Sequence, residues 1–565
     1  MELQRLKLGA FRNLRDLEIH FTGAITDIDG TEQRFKSHAV IGPNGSGKSN
    51  LLEAMVTIFR DLDLNLSASF DYELDYAIRG FSIAIRATAG CSPRVLIDGQ
   101  PTDAWELSDT HRSNPQTGKA ERGKARRYLP SNVFTYYSGK NERLETLFRD
   151  HQRAFIESLN AAELEDLDSE AFGERQETDA LVRRLFYCRH PHSRLVLLAL
   201  LLAPERPLRQ VLDDLQITGL ESALFVLKQP YRLTRDALSP EDIRQGNPHF
   251  WYDRTRFTEE LLEKLWELAV APIDDTVEQT IDFRGRVEEQ ALLYLFLDSR
   301  EKLLELKDHV GDSYRFFRFL EGAYIADLLD DVKLFVRHRQ ADGLVTFEQL
   351  SEGELQLLTV LGLMRLTHQD HCLFLLDEPD THLNPLWKLR YFENIEQVLK
   401  QQPGDPLQGD SQIIVTTHDP MMIASLRREQ VRILRRTNAG AVSVDQPDVD
   451  PQGMGLTGLL KSELFGLSST LDPETERRLF RRNALYAVGE RRTPAEDAEM
   501  RRLSSELADL GFAQDFKDPF YAMFVKKMAQ HTRFHKPVLT PEEQQAQDAI
   551  ANEIIKQILA EEKGR

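Results

Sequence analysis

The sequence predicts an α/β domain delivered in two pieces, divided by a large helical insertion and followed by a helical C-terminal region. Three observations carry that reading. Near the N-terminus an apolar strand runs into a glycine-rich loop and then into a helix. Three later apolar-rich runs, Leu373–Leu376, Gln412–Thr416 and Val431–Leu434, have the continuous hydrophobicity of strands buried on both faces of a parallel sheet. Between these regions the pattern changes to long helical segments. The expected division is 1–138 and 336–447 for the two lobes of one α/β domain, 139–335 for the insertion and 448–565 for the C-terminal region.

Taken in order, LQRLKLGAFRNLRDLEIHF (3–21) alternates apolar and polar residues, the period of extended chain. HAVIGPNGSGKSN (38–50) follows as strand, loop and helix start, and Leu51, Leu52, Met55, Val56 and Phe59 continue it at helical spacing. Phe81–Ala87 and Arg94–Ile97 read as paired strands, residues 100–128 as an exposed polar loop, and Asn132–Tyr137 as another strand. FTEELLEKLWELAV (257–270) and SREKLLELKDHV (299–310) typify the helical stretch, which Pro191, Pro204, Pro230, Pro240, Pro248 and Pro272 interrupt. No heptad persists, so the insertion is expected to be globular and not a coiled coil.

Composition excludes several classes. At 565 residues, with Lys+Arg 71 against Asp+Glu 91 and a net charge of −20, the chain is multi-domain and has no overall electrostatic grip on nucleic acid. Three widely spaced cysteines, Cys91, Cys188 and Cys372, fit a reducing compartment and no disulfide scaffold. The N-terminus lacks the apolar core of a signal peptide, and the longest apolar run, Leu195–Ala203, is far below the ~20 residues of a membrane span. A cytoplasmic protein without a membrane partner is expected.

The chemistry concentrates in four places. Gly42-Pro-Asn44-Gly45-Ser46-Gly47-Lys48-Ser49 matches the phosphate-binding pattern G-x-x-x-x-G-K-[ST]. Its glycines let backbone N–H groups approach phosphates, Lys48 reaches the β/γ-phosphates of ATP, and Ser49 ligates Mg²⁺. Leu373-Phe-Leu-Leu-Asp377-Glu378-Pro379 is a buried strand ending in two carboxylates, Asp377 suited to the Mg²⁺ hydration shell and Glu378 to a general base. Leu350-Ser351-Glu352-Gly353-Glu354-Leu-Gln356 opens a helix, with Ser351 at a capping position. Thr417-His418-Asp419 closes a further apolar strand.

In that order these motifs resemble the ABC-type ATPases, in particular the soluble branch of SMC proteins, RecF and OLD-family nucleases, over about 1–138 and 336–445. The resemblance implies Glu378 as catalytic carboxylate, His418 as switch histidine at the γ-phosphate and Asp380 as the start of the D-loop. It also implies that Ser351, Glu352 and Gly353 complete the ATP site of a second copy, so that the protein works as a homodimer or higher homo-oligomer. Arg12 and Asn13 match the N-terminal segment near the nucleotide. A clear Gln-loop is missing: its place reads Tyr136-Tyr-Ser-Gly-Lys-Asn141.

TYYSGKNERLE (135–145), GNPHFWYDR (246–254) and GMGLTGLLKSELFGLSSTLDPET (453–475) extend the similarity to the PtuA family, ATPase subunits of Septu-type and retron-associated anti-phage systems. That resemblance implies an effector on another chain, an HNH nuclease, and in retron versions a reverse transcriptase with its RNA and RNA-templated DNA. No intrinsic nuclease is expected. The alternative is a DNA-repair ATPase of RecF or SMC type. Two basic clusters, Arg122, Lys124, Arg126 and Arg127, then Arg477, Arg478, Arg481 and Arg482, read as solvated faces more than phosphate contacts. Cys188-Arg-His190-Pro-His192 reads as structural and not zinc-binding, and Asp448-Val-Asp450 lacks the strand context of a nuclease carboxylate pair.

Overall fold

The computed structural model describes residues 1–26, 32–113, 120–137, 146–149, 152, 184–188, 190–202, 209, 212–213, 216–233, 238, 240–255, 257–280, 287–339, 344–346, 352–366, 371–399, 411–437, 441–467, 469–510, 524, 527–528 and 541–563. The chain divides into two compact units, one of Met1–Met422 with Glu429–Asp445, the other of Ile423–Arg428 with Gln446–Arg565.

The first unit is organised around a seven-stranded sheet. Its strands are β1 (Ser37–Ile41), β2 (Val133–Tyr137), β3 (Leu185–Cys188), β4 (Leu373–Asp377), β5 (Gln412–Thr417), β6 (Val431–Arg436) and β7 (Val442–Asp445), in the order β3-β2-β4-β5-β1-β6-β7. All neighbours are parallel except β6 and β7. Every residue of β1, β4 and β5 is buried, which explains why their sequences are continuously apolar and not alternating. A six-stranded antiparallel sheet, ordered Leu14–His20, Glu2–Phe11, Tyr72–Ile78, Phe81–Ala87, Arg94–Ile97, Gln100–Thr102, supplies the second layer. Leu6, Leu8, Leu17 and Ile85 from it share one core with Leu51, Met55 and Phe59 of helix α1 (Lys48–Asp63) and with Leu373 and Leu375 of β4.

The insertion departs from the helical expectation. The helices foreseen at 257–270 and 299–310 are present at Thr258–Leu268 and Arg300–Val310. Around them, however, lies a five-stranded antiparallel sheet, ordered Ile273–Thr280, Val287–Leu297, Ile217–Lys228, Leu329–His338, Leu344–Thr346. Strands such as VEEQALLYLFL are rich in Leu and Glu, which favour helices locally; pairing with neighbours along eleven residues overrides that preference. The boundary also shifts, because β3, inside the span assigned to the insertion, pairs with β2 in the main sheet. After β3 comes α2 (His190–Leu202), which packs so closely on α3 (Glu352–Leu366) that a Cβ at Gly362 would strike Leu200 and Val196.

Residues 100–128 are a second correction. Asp103 caps a short helical turn, Ala104–Leu107, that buries Trp105 and Leu107, and His111–Ser113 pairs with Ala120–Arg122. A polar sequence here is stapled down by two apolar side chains that its composition obscures. The second unit is helical, with Gly455–Lys461, Pro473–Val488, Pro494–Asp509 and Pro541–Lys563. Its start signals are explicit: Asp472 accepts from the Glu474 and Thr475 amides ahead of Pro473, and Thr493 and Glu496 form a capping box around Pro494.

Candidate functional site

Parallel strands deliver their C-terminal ends to one edge of the sheet, the place where open α/β sheets bind ligands. There the loop Gly42–Gly47 leaves β1, Asp377 and Glu378 leave β4, and Thr417 and His418 leave β5.

The loop is built by its glycines. Gly42, Gly45 and Gly47 have φ of 156°, 78° and 102°, and at Gly47 a side chain would also meet Asn13 Oδ1 at 3.0 Å. Asn13 comes from the FRNL segment: its Nδ2 donates to the Gly45 carbonyl at 3.1 Å, and its Oδ1 accepts from Asn50 Nδ2 at 2.6 Å. Asn13 therefore braces the loop from beneath. Arg12, at positive φ, is ion-paired with the buried Glu53 of α1, so the structure gives it a carboxylate partner in the protein. Asn44 and Gly45 lie at the open turn of the loop, and Ser46 is buried with no partner for its hydroxyl.

Lys48 is buried at the start of α1, where Nζ donates to the Gly42 carbonyl at 2.9 Å and lies 3.8 Å from Glu378 Oε1. Burial pulls its pKa down, while Glu378 and Asp377 act against that pull. Asp377 is fully enclosed. Thr416 donates to its Oδ1, the Ser49 hydroxyl stands beside the carboxylate, and burial pushes its pKa up against both hydroxyls. Among the described residues Asp377 Oδ2 has no hydrogen-bond partner. A buried carboxylate oxygen left open next to a serine hydroxyl is the hard oxygen donor set a magnesium ion takes, so Ser49 and Asp377 fit that group.

Glu378 sits at φ 47°, a left-handed conformation uncommon for a residue with a side chain, held by its amide donating to the Thr416 carbonyl at 3.0 Å. The turn aims its carboxylate at His418, whose Nδ1 lies 3.1 Å from Glu378 Oε1. Since a carboxylate only accepts, Nδ1 carries the proton in this contact. Asp380 is buried, accepts from Thr417 Oγ1 at 3.1 Å, and is pushed up in pKa by burial.

Of the segment opening α3, Ser351 lies outside the described residues. Glu352 is exposed, with Oε1 3.6 Å from His382 Nε2, and Gly353 is packed against the His382–Leu383 backbone just after Asp380. Both residues thus meet the turn that follows Asp380. Sequence reasoning missed two others: Gln356, whose buried Nε2 donates to the Pro379 carbonyl, and Lys388, paired with Asp419. Their partners are more than twenty residues away, so no local spacing announces them. In the Gln-loop's place, Tyr137 ends β2 in register with Asp377; 138–141 fall outside the described residues.

The remaining candidates are occupied structurally. Arg122 makes two bonds to Asp109 (2.7 and 2.9 Å), Lys124 pairs with Glu106 at 2.8 Å, and Arg127 lies over the Phe81 ring. Arg478 and Arg481 pair with Glu474 and Glu499, and Arg482 is buried. Cys188 and His192 are core residues, His192 lying edge-on between Phe186 and Tyr324. Asp450 accepts from the Arg428 amide, and the Asp448 amide donates to Glu463. No helix among the described residues is long and apolar enough to cross a membrane.

Over 134 residues the chain is 30% identical to the Septu protein PtuA of Bacillus mycoides (strain KBAB4), a stretch covering 24% of this chain and 17% of that protein. The chain thus matches under a fifth of that relative's length. Among solved structures, the SMC head domain from Thermotoga maritima (13% identity, TM-score 0.30, 80% of this chain and 100% of that one) and ATP-bound RecF (12%, 0.26, 79% and 98%) are similar, at a distance that bears on nothing further. The family described as "AAA domain, putative AbiEii toxin, Type IV TA system" matches residues 37–424, well over half of the chain, and the protein belongs to that family of ATPase domains.

Proposed function

We propose that this chain is the ATP-binding and ATP-hydrolysing subunit of an anti-phage defence complex, acting as head-to-head pairs and governing an HNH nuclease on a separate chain. In a retron version, a reverse transcriptase with its RNA-templated DNA would join them. One observation carries the hydrolytic half: Lys48, Asp377, Glu378 and His418 meet at the carboxyl edge of one parallel sheet, with Glu378 3.8 Å from Lys48 and 3.1 Å from His418. The defence half is supported by the partial likeness to the Septu protein PtuA and by the 453–475 segment.

In this reading the amides of Gly45–Ser49 and the Lys48 ammonium hold the phosphates of ATP. Ser49 and Asp377 would hold a magnesium ion, which supplies charge neutralisation at those phosphates when bound. Glu378 takes the proton of the attacking water as general base, and His418 orients that carboxylate through Nδ1. Ser351, Glu352, Gly353 and Asp380 serve the site of the second copy.

The test uses the purified full-length chain. Lys48→Ala removes a phosphate contact and should weaken nucleotide binding; Glu378→Gln keeps the shape but loses the base, so ATP should bind and persist unhydrolysed. Normal turnover by Glu378→Gln would reject the catalytic assignment. Supercoiled DNA incubated with the chain, ATP and Mg²⁺ should stay intact until the HNH subunit is added, and cleavage by this chain alone would reject the division of labour.

A further inference from the structure

Glu378 can act only if His418 is held in place, and His418 is half exposed on a strand end, with no bond other than the one to Glu378 to fix its ring in the described contacts. The residues on both sides of it are fixed. Thr417 Oγ1 donates to Asp380 Oδ2 at 3.1 Å and accepts from the Asp419 amide at 3.0 Å. Both carboxylate oxygens of Asp419 are engaged: Oδ1 accepts from the Met421 amide at 2.8 Å, and Oδ2 accepts from Lys388 Nζ at 2.6 Å. Lys388 belongs to α4 (Pro385–Leu399), the helix that follows the Asp380 turn. Both tethers of the His418 segment therefore run to the stretch Asp380–Lys388.

We propose that Lys388 is a positioning residue that sets His418 against Glu378 through Asp419, tying the switch histidine to the segment that begins at Asp380. This rests on the roles of Glu378 and His418 given above. Lys388 does not reach the reacting atoms; it fixes the backbone that carries the group which does. The pair is mostly enclosed, both side chains being under a fifth exposed, so it is screened less than a surface pair. Lys388 also offsets the repulsion between Asp419 and the buried Asp380, whose carboxylate is tied through the Thr417 hydroxyl to the Asp419 backbone amide. Without it, Asp419 Oδ2 loses its partner and the side chain is held by the Met421 amide alone, so the His418 segment is loosened on that side.

The experiment compares Lys388→Met with Lys388→Met/Asp419→Asn, in full-length protein, for ATP turnover and for thermal stability. A displacement of about 1 Å at a catalytic group can cost roughly 10²-fold, so kcat of Lys388→Met should fall ~10–100-fold. KM should stay within about threefold, because the phosphate loop is untouched. The double variant removes both charges while keeping an acceptor for the Met421 amide. Its stability should return toward wild type while kcat stays low, because the tether is still absent. Lys388→Arg, which can reach Asp419, should recover most of the turnover. If kcat returns with stability in the double variant, the pair is structural only and the proposal fails; it fails equally if Lys388→Met turns over at the wild-type rate or loses KM instead of kcat. Should Lys388→Met not fold, the double variant and Lys388→Arg decide alone. A wild-type chain without turnover would overturn the parent reading and this one together, whereas an active wild type with unaffected variants overturns only the tether.

Discussion

Gly353→Ala is the perturbation that most directly separates the two halves of the proposed composite site. A Cβ at this position would come within 2.8 Å of the His382 carbonyl carbon, and closer still to its oxygen. Carbon atoms rest at ~3.5–4.0 Å, so the start of α3 and the turn after Asp380 must part by about 0.7 Å or more. The obstacle is backbone, which cannot swing aside as a flexible side chain can. Overpacking of this kind costs ~1–3 kcal/mol, and a misplacement near 1 Å costs ~10²-fold in rate where geometry matters. The contact disturbed is with the His382–Leu383 backbone, not a member of the Gly42–Lys48 phosphate loop, so the variant should bind ATP as wild type does while hydrolysis falls by roughly 10²-fold. The assay is nucleotide binding by equilibrium fluorescence beside steady-state phosphate release. Mixing Gly353→Ala with Lys48→Ala should restore part of the activity, because in mixed pairs both defects fall in one site and leave the other intact. Wild-type hydrolysis by Gly353→Ala would refute the packing argument. Loss of activity without recovery, with mixed pairs verified by mass, would refute the assignment of this segment to a second copy's site.

Two further outcomes test the scaffold. Arg184 is buried at the head of β3, with Nε on Asp63 Oδ1 at 2.7 Å and Nη1 on the Pro130 carbonyl at 2.5 Å; Arg184→Met leaves Asp63 buried without that partner and should cost ~3–5 kcal/mol in denaturant unfolding, a loss that Arg184→Met/Asp63→Asn should largely reverse. Burial lowers the pKa of His38 in β1 to about 3, so between that value and ~6.5 the unfolded chain binds a proton that the folded chain refuses, and stability falls as pH drops through 6.5, by about 2 kcal/mol at pH 5. His38→Gln should remove that share of the acid-side slope, and an unchanged slope would show that His38 titrates normally.

What the sequence disclosed and what it concealed follow one physical division. Where a contact lies within a few residues, the pattern is written locally: the glycines at 42, 45 and 47 are needed because the loop takes φ values that other residues resist, and β4 is continuously apolar because both of its faces are covered. Where a contact is made by residues far apart, no window contains the cause. Ile217–Lys228 and Val287–Leu297 carry helix-forming residues and become strands because each lies between two others of the five-stranded sheet. β3 is four residues long, too short to show any period, and exists because β2 pairs with it. Arg12 was expected at the nucleotide, and its pairing with Glu53, forty-one residues on, is equally invisible in FRNL. The same division runs through the site. Asp377, Glu378 and His418 could be named because each sits at the end of a readable strand, and Lys48 because a glycine-rich loop carries it from such a strand into a helix; the chemistry of phosphate and water fixes which residue types are useful there. Lys388 and Gln356 act by holding other residues, and holding needs only reach and a complementary atom, which many residue types at many positions provide. Residues that do chemistry are therefore legible from type and spacing, whereas residues that position them become legible only once the fold has brought their partners together.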